Sequence, residues 1–232
     1  MMEDLEQKTP KEIIKWALKK YQNKVALASS FGAEDVVLID MMVKVSKECD
    51  LGNVKIFTLD TGRLPEETYK LMDKIREKYR VQLEVYFPDT KAVEDMVQEH
   101  GFDLFYKSID LRKLCCKTRK MGPLNRALKG LDAWICGLRR EQSVTRSDIK
   151  KVEEPKEGTG LVKINPLIDW TEKDVWDYIK KNDVPYNALH DQNYPSLGCA
   201  PCTRAVKPGE DVRAGRWWWE SPDKKECGLH SK

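Results

Sequence analysis

Two pairs of cysteines, Cys115-Cys116 and Cys199-Ala200-Pro201-Cys202, stand apart from a lone Cys227 near the C-terminus, three residues before His230. Four sulfurs in two pairs suit a metal centre. A lone thiol beside Lys224, Lys225 and His230 suits a nucleophile, because cationic neighbours lower a thiol's pKa and raise its thiolate fraction. The chemistry implied is a thiolate attacking something held beside a metal–thiolate centre. The competing reading of Cys227 is an incidental cysteine on a frayed terminus. Cys199-x-x-Cys202 is a common metal hook. Cys115-Cys116 is unusual, because adjacent side chains diverge on a helix or a strand and chelate one small tetrahedral ion poorly. An iron–sulfur cube spreads its attachment points over separate irons, so [4Fe–4S] is favoured over zinc. In the alternative, Cys115 and Cys116 are small buried hydrophobes and only Cys199 and Cys202 bind. Cys49 and Cys136 read as structural.

Groups that could hold an anion complement the sulfurs. Arg213 and Arg216 flank Ala214-Gly215 before Trp217, Trp218 and Trp219, and guanidinium forks match sulfate or phosphate oxygens. The tryptophans either cover the site or anchor the tail. Ser29-Ser30-Phe31-Gly32 leads from an apolar run into a helical pattern, where backbone N–H groups and the helix dipole favour a phosphate. The Gly-Lys-Ser/Thr ending of a Walker A loop is absent. Leu59-Asp60-Thr61-Gly62 follows a second apolar run. Each loop alone reads better as a plain turn; together they suggest a nucleotide cleft.

Charge distribution points the same way. Net charge is +3, but residues 107 to 150 carry 12 Lys+Arg against 4 Asp+Glu, leaving the rest of the chain acidic. Such a segment focuses field on an anionic ligand, or is simply a solvated basic face. No nucleic-acid motif accompanies it. With 41% hydrophobic and 34% charged residues the chain reads as a globular cytoplasmic protein, with neither a secretory leader nor a membrane span. Seven cysteines in that setting favour metal or thiol chemistry over a disulfide framework.

Positioning these groups requires an alternating scaffold. Thr9-Pro10-Lys11-Glu12 is a capping box that predicts a helix to about Tyr21. Strands are expected at Val25–Ser29, Val54–Leu59, Leu83–Phe87, Ala133–Cys136 and Leu161–Asn165, with helices at Ala33–Ser46, Pro65–Tyr79 and Thr90–Glu99. Strands alternating with helices predict a parallel sheet with right-handed crossovers. Ligands of such sheets bind beyond the carboxyl ends of strands, where Ser29 to Gly32, Leu59 to Gly62, Gly137 and Arg139 fall. Residues 153–160 read as an exposed loop. The expected organisation is a single domain over 1–232: an α/β nucleotide-binding core to about 180, an irregular Fe–S and substrate lobe over about 181–220, and a mobile catalytic tail over 221–232.

Seven motifs in order carry a resemblance: Ser30-Phe31-Gly32-Ala33-Glu34-Asp35, Leu59-Asp60-Thr61-Gly62, Cys115-Cys116-x-x-Arg119-Lys120, Gly137-x-Arg139-Arg140-x-Gln142-Ser143, Gly198-Cys199-x-Pro201-Cys202-Thr203-Arg204, Arg213-x-Gly215-Arg216-Trp217-Trp218-Trp219-Glu220, and Glu226-Cys227-Gly228-Leu229-His230. Over roughly Val25 to His230 the chain resembles the assimilatory adenylyl-sulfate reductases, the cluster-containing branch of the APS/PAPS reductase family. The resemblance implies a doubly wound parallel sheet of the adenine-nucleotide α-hydrolase type. Ser29, Ser30, Phe31, Gly32, Thr58, Leu59, Asp60, Gly62, Gly137, Arg139 and Arg146 would line the nucleotide. Lys120, Arg213, Arg216 and His230 would surround the sulfate. Cys115, Cys116, Cys199 and Cys202 would bind one [4Fe–4S] cluster, and Cys227 would attack.

The implied reaction is thioredoxin-dependent reduction of adenosine 5′-phosphosulfate (APS) to sulfite and AMP in sulfate assimilation, through S-sulfocysteine. Because the sequence stops at Lys232, thioredoxin is expected as a separate chain. Homo-oligomerisation is left open, and no nucleic-acid or membrane partner is expected. The rivals are reduction of the 3′-phosphorylated substrate (PAPS) or of both, an ATP-dependent enzyme of the same fold, and a non-enzymatic metal regulator. The ATP-dependent enzymes carry a Ser-Gly-Gly-x-Asp-Ser loop from which Ser29 to Asp35 departs.

Overall fold

The computed structural model describes residues 5–142, 148–155 and 160–221. The chain forms two compact units, the first of Met1–Thr58, Thr68–Glu84 and Gly130–Asn187, the second of Leu59–Glu67, Val85–Lys129 and Ala188–Lys232.

The first unit opens with α1 (Pro10–Tyr21), started by the expected reciprocal Thr9–Glu12 capping box with proline in its first turn. Its apolar stripe of Ile13, Ile14, Ala17 and Leu18 is buried. β1 (Val25–Ala28) follows, then α2 (Ala33–Cys49), whose Val36 to Val43 stretch is entirely buried. β2 (Lys55–Leu59), α3 (Glu66–Tyr79) and β3 (Leu83–Tyr86) continue the alternation.

The sheet order is β3-β2-β1-β4-β6-β5, with β4 at Ala133–Cys136, β5 at Val152–Glu153 and β6 at Val162–Ile164. β1 runs parallel to both β2 and β4, and β4 runs parallel to β6. β4 is buried throughout and β1 nearly so, as expected of parallel strands covered on both faces. Growth of the sheet in both directions from β1 marks it as doubly wound, with a switch point between β1 and β4. The departure from an all-parallel sheet is β5, paired antiparallel to β6 through Val152–Ile164 and Glu153–Lys163, so that the strand's second residue takes the first position of the stretch expected to be loop. α7 (Glu172–Lys181) carries a second capping box, Thr171 with Asp174. Among the described residues no helix is long and apolar enough to cross a membrane.

The second unit is built differently. α4 (Thr90–His100) and α5 (Ile109–Cys116) lead into a π-helical turn at Lys117–Met121, followed by α6 (Gly122–Leu128). Beyond Asn187 come short 3-10 turns at Ala188–Gln192 and Ala200–Cys202. Its core gathers Met96, Leu104, Phe105, Cys115, Cys202 and Trp217, so two of the cysteines are themselves core residues.

Candidate active site

In the first unit the β1–α2 turn is shaped by Asp35. Its carboxylate accepts the Ser30 amide at 2.6 Å and the Ser30 hydroxyl at 2.8 Å. Burial pushes the Asp35 pKa up to about 6, helped by Glu34 and opposed by the Ser30 and Gly32 donors. The Phe31 amide donates to Ser29 Oγ at 3.1 Å, with Phe31 held at φ +60° and completely buried. Amides of this loop expected to face a phosphate are therefore turned to the loop's own side chains. Gly137, just past β4, packs so closely on α2 that a Cβ there would overlap Asp35 Oδ1 and come within 3.0 Å of Glu34 Cβ. Arg139 is buried, donates to Glu34 at 2.7 Å and pairs with Glu141 at 3.2 Å. Thr58, at the end of β2, is also buried.

In the second unit the Asp60-Thr61-Gly62 turn is held by Asp60 Oδ1, which accepts the Gly62 amide at 2.7 Å, and Gly62 takes φ +73°, a conformation that favours glycine. Thr61 Oγ1 lies 3.2 Å from Cys199 Sγ, and the Ala200 amide donates to Arg63 O at 2.8 Å, tying the turn to the cysteine hook. The hook is closed by Cys202 N donating to Cys199 O and by Trp217 N donating to Cys202 O. Opposite strands of this small structure meet at a Thr203–Arg216 bridge, where a Cβ on Gly215 would collide with Arg204 O.

All four paired cysteines line one cavity, partly open to solvent, together with Arg63, Arg112, Arg119, Lys120, Arg216 and Trp217. Cys115 and Cys116 close α5 and the π-helical turn presents Arg119 and Lys120 on the next residues, a local rewinding common at functional sites. Arg119 donates to Thr61 O at 2.7 Å. Burial raises the Cys115 thiol pKa. Cys202 is pushed up to about 12 by burial, then by the charges of Cys199 and Cys116, against the opposing pull of Lys120. At Cys115 and Cys202 burial therefore disfavours the thiolate, a cost that a neighbouring metal would offset. Arg119 Nε and Trp217 Nε1 are buried with no hydrogen-bond partner among the described residues. Donors in that state suit a group that accepts hydrogen bonds, as sulfide and thiolate do. Among the described residues no three His, Cys, Asp or Glu side chains converge as one metal ion requires.

The expected sulfur ligands and two of the expected cations, Lys120 and Arg216, therefore share a cavity. Arg213 lies in the same unit, partly buried, three residues earlier. Cys227, His230 and Arg146 fall outside the described residues. Arg63 and Arg112 line the cavity without having been singled out from sequence, and Arg119, part of the Cys115-Cys116-x-x-Arg119-Lys120 motif, had been given no role. For Arg112 and Arg119 the available signal was helical spacing from the tandem cysteines.

The phosphoadenosine phosphosulfate reductase domain model matches residues 24–205. An adenosine 5′-phosphosulfate reductase of Burkholderia cepacia is 54% identical over 208 residues, 90% of this chain and 81% of that one. One from Allochromatium vinosum is 51% identical, covering 90% and 79%. A crystal structure of phosphoadenylyl-sulfate reductase from Candida auris, a phosphate complex, superposes with a TM-score of 0.72 at 30% identity, covering 88% of this chain and 93% of that one. The chain therefore belongs to the phosphoadenosine phosphosulfate reductase family of oxidoreductases, among relatives named adenosine 5′-phosphosulfate reductase.

Proposed function

We propose that this protein reduces APS to sulfite and AMP in the cytoplasm, as a step of sulfate assimilation, with thioredoxin as the dithiol. The observation that carries the reading is the meeting of Cys115, Cys116, Cys199 and Cys202 with cationic side chains on one cavity, in a chain of this family. The four cysteines would hold a [4Fe–4S] cluster. Two sequence-adjacent sulfurs, a separate hook and orphaned donors suit a polynuclear group. Held there, it would order the surrounding cations, while the electrons come from thiols.

In the first step the Cys227 thiolate attacks the sulfuryl sulfur. An S–S bond forms, the bond from that sulfur to the phosphate oxygen breaks, and AMP leaves with the electron pair. Lys120, Arg213, Arg216 and His230 would neutralise the sulfuryl oxygens so that anion can meet anion. Ser29 to Gly32, Thr58 to Gly62, Gly137, Arg139 and Arg146 would serve the nucleotide. In the second step a dithiol sulfur attacks the Cys227 sulfur and sulfite departs with the electron pair. The second thiol of that dithiol then resolves the mixed disulfide, leaving Cys227 reduced and the dithiol oxidised by two electrons.

The deciding experiment mixes protein with APS alone and maps the product by mass spectrometry. An added SO₃ on the peptide containing Cys227, absent from C227S, is the expected result, and an adduct elsewhere overturns the mechanism. Offering APS and PAPS separately with reduced thioredoxin then fixes the substrate. A K120A protein that keeps its iron and full turnover would remove Lys120 from this scheme.

A further inference from the structure

The two cysteine pairs come from segments far apart in sequence, and Arg63 holds one of them and the approach to the other. Its carbonyl accepts the Ala200 amide, inside the Cys199–Cys202 hook, at 2.8 Å. Its guanidinium reaches the turn that leads into α5: Nη2 donates to Phe102 O at 2.8 Å, and the group lies over the Phe105 ring at 5.1 Å. Phe105 packs in the same core as Cys115 and Cys202. The residue is itself held, since its amide donates to Thr61 Oγ1 at 3.2 Å and that hydroxyl lies 3.2 Å from Cys199 Sγ. A second tie joins the same two segments: Tyr106 Oη donates to Pro201 O at 2.7 Å, two residues before Ser108, the N-cap of α5. The helix has its own anchor in Arg112, which donates to buried Glu220 at 2.9 and 2.7 Å. Arg63 Nη1 also lies 3.4 Å from Asp103 Oδ1, but that carboxylate is 69% exposed, so the charge pair adds little. What the side chain supplies is direction, from a planar fork whose donors point along fixed lines.

We propose that Arg63 is a positioning residue for the sulfur centre: it holds the hook and the approach to α5 in register, so that the two cysteine pairs offer a preformed site. The assignment rests on the four cysteines holding a cluster, and it deepens that reading by naming what aligns them. Ligands already in place lose less freedom on binding, and lost alignment shows mainly as faster release. A lysine at this position keeps the charge, but one ammonium cannot reproduce the fork on Phe102 O and the flat contact with Phe105. Charge and direction are therefore separable.

The test follows release of iron from anaerobically purified holoenzyme to a ferrous chelator, with visible circular dichroism of the iron–thiolate bands recorded on the same samples. R63M and R63K should both release iron at least about tenfold faster, the scale on which residues supporting metal ligands act. Their visible bands should change shape at full iron loading while the far-ultraviolet spectrum stays that of the unmutated protein. Y106F, which loses only the second tie, should release iron at a rate between those of the unmutated protein and R63K. If R63M does not fold, R63K and Y106F decide. Unchanged release and band shape in the Arg63 variants overturn the proposal. So does fast release in R63M with a normal R63K, which would leave charge alone as the cause, and so does a far-ultraviolet change that tracks the release rate. The unmutated protein separates the two readings: if it holds no acid-labile sulfide alongside iron, the cluster assignment fails, whereas an intact cluster there with unchanged variants defeats only the positioning role.

Discussion

The loop after β1 in the first unit and the cavity after α5 in the second handle buried charge in opposite ways. In the first, Asp35 is answered by the Ser30 amide and hydroxyl, and Glu34 by Arg139. In the second, Arg119 Nε and Trp217 Nε1 are buried without a partner among the described residues, beside sulfurs whose thiolates are disfavoured by burial. An unsatisfied buried donor costs about 1–3 kcal/mol. A fold keeps such groups where a ligand returns that energy. At the β1–α2 loop the chain's own side chains answer one another, whereas at the second unit's cavity two donors are left for an acceptor such as the proposed cluster.

The strongest way to break that contrast is to remove one sulfur. In C202S a hydroxyl replaces a core thiol, and oxygen is a poor partner for soft metal chemistry. Bound iron should be largely lost and sulfite formation should fall by about 100-fold or more, the upper range found even for residues that only support a ligand. Nucleotide binding by the first-unit loops should be less affected. Iron content and sulfite release measured on one preparation decide it. Full iron retention would mean that Cys202 is core packing only.

A second test probes the self-contained side. The Asp35 pKa is raised from 3.8 to about 6, so the folded state holds this proton more tightly than the unfolded state does. The associated stability is complete below 3.8 and is lost as pH rises through about 6. A pKa difference of about two corresponds to about 3 kcal/mol. The amide of the D35N variant does not titrate, so the difference between wild-type and D35N unfolding free energies should shift by about that amount, in favour of D35N, between pH 4 and pH 7. Any constant loss from the altered hydrogen bonds cancels in the slope. Parallel curves would show that Asp35 is not the buried, titrating anchor of the loop.

The same contrast explains what was readable beforehand. β1, β2, β4 and the helices between them announce themselves through apolar runs and a capping box, because their energy comes from burial against apolar neighbours with a fixed period. α2 was expected to end at Ser46 but runs to Cys49, where an apolar pattern gives way to a polar last turn. Residues 109–128 were not anticipated as helical. Cysteines, Gly122, Pro123 and a cluster of cations obscure the period there, and what holds them is polar and long-range. Arg112 and Glu220 are 108 residues apart, and no local pattern links them. β5 escaped notice because two residues on a sheet edge leave no alternation to count. The cysteine pairs were legible as chemistry, since their spacing is unusual in itself, whereas the donors around them became visible only when the fold brought Arg119 and Trp217 to the same cavity.

The smallest expected effect falls where the two kinds of packing converge on one residue. Gly137 follows a fully buried strand, yet it is retained as glycine because Asp35 and Glu34 occupy the space a side chain would need. Its φ is unremarkable, so the constraint is contact and not backbone conformation. G137A should cost about 1–3 kcal/mol, the usual penalty of forcing a methyl into a packed interior. Two relaxations are available. If the Asp35 carboxylate swings aside, the Ser30 donors lose their acceptor and nucleotide affinity should fall while iron content stays normal. If α2 shifts as a body, stability falls with affinity preserved. Measuring AMP affinity and the unfolding midpoint together separates these outcomes, and unchanged values for both would show that the first unit is less tightly fitted than Asp35, Glu34 and Gly137 imply.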